Sequence, residues 1–447
     1  MPAPRVTLAL FAASAILLSC TNPSVRQDGL HAGPMLGDLG AEQVRIWAEA
    51  ADPSVYRVEI AEGQSGGPWV AAVAEDGGPA MLALDGDRLH GQCQLVGLRP
   101  DTVYRYRLVK DGVPQRAPHD QTFRTLPVEE EITHLKVAFG SCAGDWGIDP
   151  GQPIFHAIHA QDPDLFLWLG DNIYYGLEGR EWEDPGLMED RWSKQRALAS
   201  LQPLLADTPH YAIWDDHDYG PNDSDREYVL RDFSLDLFTS YWPNPAAGLE
   251  GPDGVFFSFR VGPVEFFLLD TRFDRQPNRT VDEDGAQPLL SERQWLWLFD
   301  GMRRSTADFK VVASGMQVLS TYHRFETWNL FPSERKRLLD FLQRESIAGV
   351  FFLSGDRHIG EAIRLPRQGT YDLVEFTSSP LAAGIGEALP DAEVGERIPG
   401  TLAATENFGI LEFDFSSAVP TLSFRLHDVY GRPLGSAVVL RLDQLQP

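Results

Sequence analysis

Four short segments, LKVAFG, DLFLWLG, HYAIW and GVFFLSG, are apolar along nearly their whole length. A strand that is apolar on both alternating faces must be covered on both sides, so these runs demand sheets buried between layers. Each run stops at a sharp break and is followed at once by residues that bind cations. FGSC ends at Cys142, and GDNIYYG presents Asp171 and Tyr174. WDDHD presents Asp215, Asp216 and His217, and SGDRH presents Asp356, Arg357 and His358. Donors delivered from several strand ends suit a buried two-ion centre, because no single loop can surround two ions.

The pattern changes along the chain. Residues 31–126 hold short alternating runs (VRIWAEA, VYRVEIAE, HGQCQLVGL, TVYRYRLVKDG) separated by turn residues. That grammar predicts a small all-β sandwich of immunoglobulin or fibronectin type III style. LPVEEEITH reads as a linker, and residues 135–447 as a second, larger domain. There, strands alternate with the helical segments PIFHAIHAQ, RWSKQRALASLQPLL, SERQWLWLFDGMRRS and SERKRLLDFLQRES. Ser291 is expected to cap the third helix, and Ser333 with Glu334 the fourth. VFFSFRVGPVEFFLLDTR reads as two antiparallel strands joined at Gly-Pro. The expected class is mixed α/β, two sheets flanked by helices.

The first twenty residues fall outside this plan. LALFAASAILL is too short to span a bilayer comfortably and reads as an export signal. Leu17, Leu18, Ser19 and Cys20 resemble a bacterial lipoprotein box, which implies cleavage before Cys20 and lipidation of its thiol. Residues 21–30 then form a tether, and the expectation is a monomer held at the cell envelope by lipid alone. Of the other cysteines, Cys142 is expected to be a thiolate ligand and Cys93 a small buried hydrophobe. The net charge of −27 argues against a nucleic-acid surface. It also repels anionic substrates at long range, so local cations must draw them in.

A carboxylate at Asp171 has two oxygens and can bridge ions about 3.5–4 Å apart. With the Cys142 thiolate and a Tyr174 phenolate, the donor set leans toward Fe(III), although Cys, His and Asp alone suit Zn(II). Asp216, Asp356 and either Asp215 or Asn222 offer hard oxygens for Ca(II), Mg(II) or Mn(II). Water between two such ions becomes a nucleophile near neutral pH, which points to metal-assisted hydrolysis of a phosphate ester. His217 is placed to protonate the leaving oxygen, and Arg357 and Arg272 to neutralise the phosphoryl oxygens. His156, His159, His210 and His323 read as packing or locally bonded residues.

The ordered series FGSC, GDNIYY, WDDHD, DTR and SGDRH closely resembles the PhoD-type alkaline phosphatases of the calcineurin-like metallophosphatase superfamily. The resemblance covers nearly the whole chain after the signal, including the preceding β domain. It implies a four-layer sandwich of two sheets flanked by helices, with Fe(III) and one or more Ca(II). Asp171 matches the bridging Asp, and Asp216 and His217 match the superfamily's Asn-His pair. Asp356 and His358 match its last two ligands, Tyr174 the iron-binding Tyr, and Cys142 a ligand of the first motif. The activity implied is hydrolysis of phosphate monoesters or of phospholipid or polymer diesters by a metal-bound hydroxide. The alternatives are a phospholipase D-like phosphodiesterase and a non-catalytic lipoprotein that binds a phosphorylated ligand. The sequence departs from the pattern in lacking a twin-arginine signal. It also lacks the superfamily's intervening His ligand, where ASGMQV offers only Gln317.

Overall fold

A computed structural model describes residues 29–447 apart from 145–148, 150, 177–178, 247–252, 281–286, 323 and 391–393. The signal segment, Cys20 and His323 lie outside the described residues. Two sheets dominate. The first has ten strands, and at its centre His134–Gly140, Leu165–Leu169 and Pro209–Ile213 run parallel. The second has seven strands, with Val264–Leu268, Phe309–Ser314, Val350–Ser354 and Leu373–Thr377 parallel to one another.

Alternation along these strands explains the layering. In Leu165–Leu169, Phe166 and Trp168 face outward; Trp168 meets Phe155 of the helix Ile154–His159 and Trp242 beyond the helix Arg231–Tyr241. In the second sheet Phe267 meets Trp297 of the helix Glu292–Arg304, while Phe266 stacks on Phe259. Between the sheets the core is aromatic: Tyr211 stacks on Phe259 at 3.8 Å and Phe376 on Phe424 at 4.2 Å between ring centroids. Such ring pairs stabilise beyond the area they bury. The expected helix–sheet–sheet–helix order is therefore present, and the Gly262-Pro263 hairpin joins Phe257–Val261 to Val264–Leu268 as read.

The N-terminal β region has a core of its own, with Leu36, Val44, Ile46, Val58, Tyr106 and Phe123 buried together. Yet its two sheets are unequal in independence. One consists of Ser54–Glu62, Val103–Lys110, Thr122–Arg124 and small additions. The other, Leu30–Gly37, Gln43–Ala50 and His90–Val96, continues the ten-stranded sheet, because Leu30–Gly37 pairs in parallel with Pro209–Ile213. That first strand sends Ala32 and Met35 into the large core and Leu30 and Leu36 into the small one. Its pattern was illegible because Gly33 and Pro34 interrupt the alternation, where the pairing shifts register.

Local chemistry corrects two further expectations. RWSKQRALASLQPLL forms two helices, Pro185–Arg196 and Gln202–Asp207. Pro203 fits only a helix's first turn, and the Gln202 amide closes the earlier helix by donating to the carbonyls of Arg196 and Leu198. The helix Pro332–Arg344 starts one residue before Ser333, with proline at its first position and no side-chain cap. Glu334 instead accepts hydrogen bonds from the backbone of Leu289 and Leu290 and from the Trp295 indole. Cys93 is partly buried and Cys142 fully buried, and both are free thiols.

At Gly37, where the N-terminal strand meets the central sheet, an added Cβ would overlap the carbonyl and ring of Pro243. Gly37→Ala is expected to cost about 1–3 kcal/mol through overpacking. Thermal unfolding measured beside Gly86→Ala, a position with open space around it and no left-handed backbone, checks this; equal midpoints would mean the seam is not tightly packed.

Candidate metal centre

Because the central strands of each sheet are parallel, their C-terminal ends share one edge, where open α/β sheets hold their ligands. Cys142 follows His134–Gly140, Asp171 follows Leu165–Leu169, and Asp215 and Asp216 follow Pro209–Ile213. From the second sheet, Arg272 follows Val264–Leu268, Asp356 and His358 follow Val350–Ser354, and Ser379 follows Leu373–Thr377.

The turns that aim these residues are strained. Cys142 (φ 62°), Asp171 (51°), Asp356 (65°) and His358 (54°) all occupy the left-handed region. Such conformations cost about 1–3 kcal/mol each and persist only where their surroundings impose them. Here the imposing bonds are visible: Ala143 N donates to Asp171 O, Asp356 N to Ser141 Oγ and His358 N to Ser379 Oγ. Gly170 (φ 95°) has no room for a side chain, since a Cβ would sit 2.5 Å from that of Asp215.

Two groups of donors meet at Asp171. On one side, its Oδ2 lies 3.4 Å from Cys142 Sγ and accepts from the Tyr174 hydroxyl at 3.1 Å. Tyr174 Oη is also 3.0 Å from His358 Nε2. The other His358 nitrogen, Nδ1, bonds the carbonyl of Gly384 and so leaves Nε2 facing the group. On the other side, Asp171 Oδ1 accepts from His217 N at 3.2 Å, and Asp216, His217, Asp215 and Asp356 gather there. One atom from each member of Cys142–Asp171–His358, of Asp171–Asp216–His217 and of Asp215–Asp216–Asp356 falls within 4.8 Å of the others.

Electrostatics supplies the test of whether this set fits cations. Burial, then the neighbouring Cys142 and Asp216, pushes the Asp171 carboxyl well above its ordinary value. Burial and the charge of Asp216 raise Asp356 to about 6, and burial raises the Cys142 thiol to about 12. Burial opposes ionisation of Asp216 too, but His217 and Arg272 outweigh it and hold that carboxyl low. Asp215 Oδ2, Asp216 Oδ1 and His217 Nδ1 are buried without a hydrogen-bond partner. Crowded acids that suppress one another, with orphaned donor atoms turned inward, are what a cation would satisfy. Sulfur, phenol, imidazole and carboxylate on one side suit a trivalent or borderline ion, and a mostly carboxylate set with His217 on the other suits a harder divalent one.

The sequence reading needs adjustment at several positions. Arg272 does not line the cleft. It is fully buried behind the carboxylates, its Nε 2.5 Å from Asp215 Oδ1 and its Nη2 2.5 Å from Glu326 Oε2. Its charge therefore acts on those acids rather than on a substrate. Asp215 spends one oxygen on Arg272 and keeps the other open. Asn222 stands exposed on the cavity wall beside Asp223. Gln317 is fully engaged elsewhere, donating to Glu361 and Thr377 and accepting from Tyr322, so it offers no ligand.

Residues unread in the sequence also matter. Asp218, the last residue of WDDHD, accepts from the backbone of Asp171, Asn172 and Asp215 and so holds two ligand turns together. Glu326 pairs with Arg272 and Arg275 and lies close to Asp216 and Asp223. Only the proximity of Asp218 to known donors was a usable signal; Glu326 sits in a loop with no motif. The whole group opens into a cavity of about 530 Å3 lined by Asp171, Asp216, His217, Asp356, Arg357 and His358, among others.

The chain is similar to known proteins. Over 315 residues the chain is 26% identical to alkaline phosphatase D of Bacillus subtilis (strain 168), an alignment taking in 60% of this chain and 53% of that protein. The chain thus spans about half the length of that curated relative. It superposes on the solved structure of PhoD with a TM-score of 0.76, at 20% identity, covering 95% of this chain and 92% of that one. The purple acid phosphatase PPD1 of yellow lupin gives a TM-score of 0.63 at 13% identity, covering 91% and 74%. At such identities these two likenesses speak for the fold. Residues 137–419, which contain every strand end of the centre, match the profile of the PhoD-like phosphatases, and the chain belongs to that family.

Proposed function

We propose that the protein is a metal-dependent phosphoesterase that hydrolyses phosphate monoesters, diesters or both. The observation that carries this reading is Asp171, whose two oxygens face two donor groups of different chemistry. Cys142, Asp171, Tyr174 and His358 would hold one ion, proposed as Fe(III), and Asp171, Asp216 and Asp356 the other, proposed as Ca(II). Ions held there supply charge neutralisation for a phosphoryl group and an attacking water acidic enough to ionise near neutral pH.

The chain's own residues do the rest. Arg357, at the cavity wall and only 4% exposed, presents a guanidinium to the phosphoryl oxygens. Its plane lies over Phe325, 4.0 Å to the ring centroid, which fixes its direction. His217 lines the same cavity, its ring held against Tyr174 at 4.4 Å between centroids, and is placed to pass a proton to the leaving oxygen. Arg272 helps hold Asp216 ionised and offsets part of the burial that raises the Asp215 carboxyl. We also propose export and attachment to the bacterial envelope through Cys20; Cys20→Ser is expected to move the protein from the membrane to the soluble fraction, and an unchanged distribution would refute the anchor.

Metal content and turnover of a monoester and a diester, measured on one purified sample, test the main reading. Asp171→Ala is expected to lose both ions and about 10³-fold or more in kcat; parental turnover would remove Asp171 from its bridging place. Tyr174→Phe is expected to abolish any visible absorption from a phenolate–iron pair while keeping the fold. An unaltered spectrum would assign the first ion to other donors. Diester turnover far above monoester turnover would make the enzyme a phosphodiesterase with the same centre.

A further inference from the structure

The cavity must attract an anion into a strongly acidic molecule, and its interior cations are already committed. Arg272 and Arg275 are fully buried and spent on Asp215 and Glu326. Among the described residues, the arginines on the cavity wall are Arg279, Arg324 and Arg357. Arg357 adjoins Asp356 and belongs with the scissile phosphate. Arg324 lies farther out and is half exposed, its Nη2 2.9 Å from the carboxylate of Glu387, which is equally exposed.

We propose that Arg324 and Glu387 form a substrate selector, in which Arg324 exchanges Glu387 for a second anionic group on the substrate. The inference rests on the phosphoesterase reading above and names the substrate class: phosphate esters whose leaving group carries another phosphate or a carboxylate. Three features support it. An ion pair this exposed has a small net worth, so replacing one carboxylate by another anion costs little. The two loops it joins are otherwise fixed, so the exchange needs only side-chain motion. The Arg324 loop is anchored two residues on by Glu326, which takes hydrogen bonds from Arg272, Arg275 and Asn278. The Glu387 loop is anchored by Gly386 N donating to His358 O and by Arg357 donating to Glu387 O. Finally, the cavity, at about 530 Å3, has room beyond a single phosphate, and Phe325 beneath Arg357 gives it an apolar floor between the two charged positions.

The test compares phenyl phosphate, 4-carboxyphenyl phosphate and 1,4-phenylene bisphosphate as substrates. Binding of the matching non-hydrolysable phosphonates is followed by calorimetry. The wild-type protein is expected to have a lower KM for the two substituted esters than for phenyl phosphate. In Arg324→Ala that preference should shrink about fivefold, and in Glu387→Gln it should grow, since the competing carboxylate is gone. Arg324→Lys should restore part of it. Turnover with the same preference in all variants overturns the selector and leaves the phosphoesterase standing. Preferential binding of the substituted phosphonates with no turnover of any ester keeps the selector and overturns the phosphoesterase. A preference for the bisphosphate alone assigns the second group as phosphate; equal preference for the carboxylate assigns it to charge.

Discussion

Everything at this centre depends on keeping several carboxylates together in a place that discourages their charge. Asp171, Asp215 and Asp216 are buried at the end of the first sheet, and the half-buried Asp356 joins them from the second. Left alone, acids so crowded would protonate or push their loops apart. The fold resists this in two ways. It spends two buried arginines on the outer acids through Asp215 and Glu326. It also locks the ligand turns by backbone bonds to Ser141, Ser379 and Asp218, none of which faces the cavity. Cations bound there would supply further favourable energy, which would tie occupancy of the centre to the rigidity of its loops.

The two sheets divide the labour. The first supplies the sulfur, the phenol and the Asp171 carboxylate; the second supplies Asp356, Arg357 and His358. The site therefore exists only where the sheets pack, and the aromatic layer between them, from Tyr211 on Phe259 to Phe376 on Phe424, sets its geometry at a distance. A site assembled this way is expected to tolerate change on its rim, where Arg324 and Glu387 sit, better than change in the layer beneath it.

Much of this was legible in the sequence, for a physical reason. Strands buried on both faces must be written in apolar residues, and a polar residue directly after such a strand stands out; that is how Cys142, Asp171, Asp216, Asp356 and His358 were found. What failed were readings that depend on long-range geometry. Arg272 follows a strand end like the ligands, but only the three-dimensional arrangement shows that it turns away toward Glu326. Gln317 stands nearest the position that the family resemblance gives to a His ligand, yet Glu361, Thr377 and Tyr322 consume it. The strand Leu30–Gly37 was lost because Gly33 and Pro34 break its alternation, and because a strand facing two different cores has no polar face to reveal it.

That strand has a consequence for how the chain is made. It precedes every other described strand, yet one of its two partners is Pro209–Ile213, synthesised long afterwards. Its other neighbour, Gln43–Ala50, arrives at once, so a hairpin can form early with one edge bare. Non-local pairing of this kind slows folding and leaves that edge open to wrong partners meanwhile. The β region at the beginning of the chain thus acts as a waiting half-sheet, completed only when the chain has been read through the strand that delivers Asp215 and Asp216.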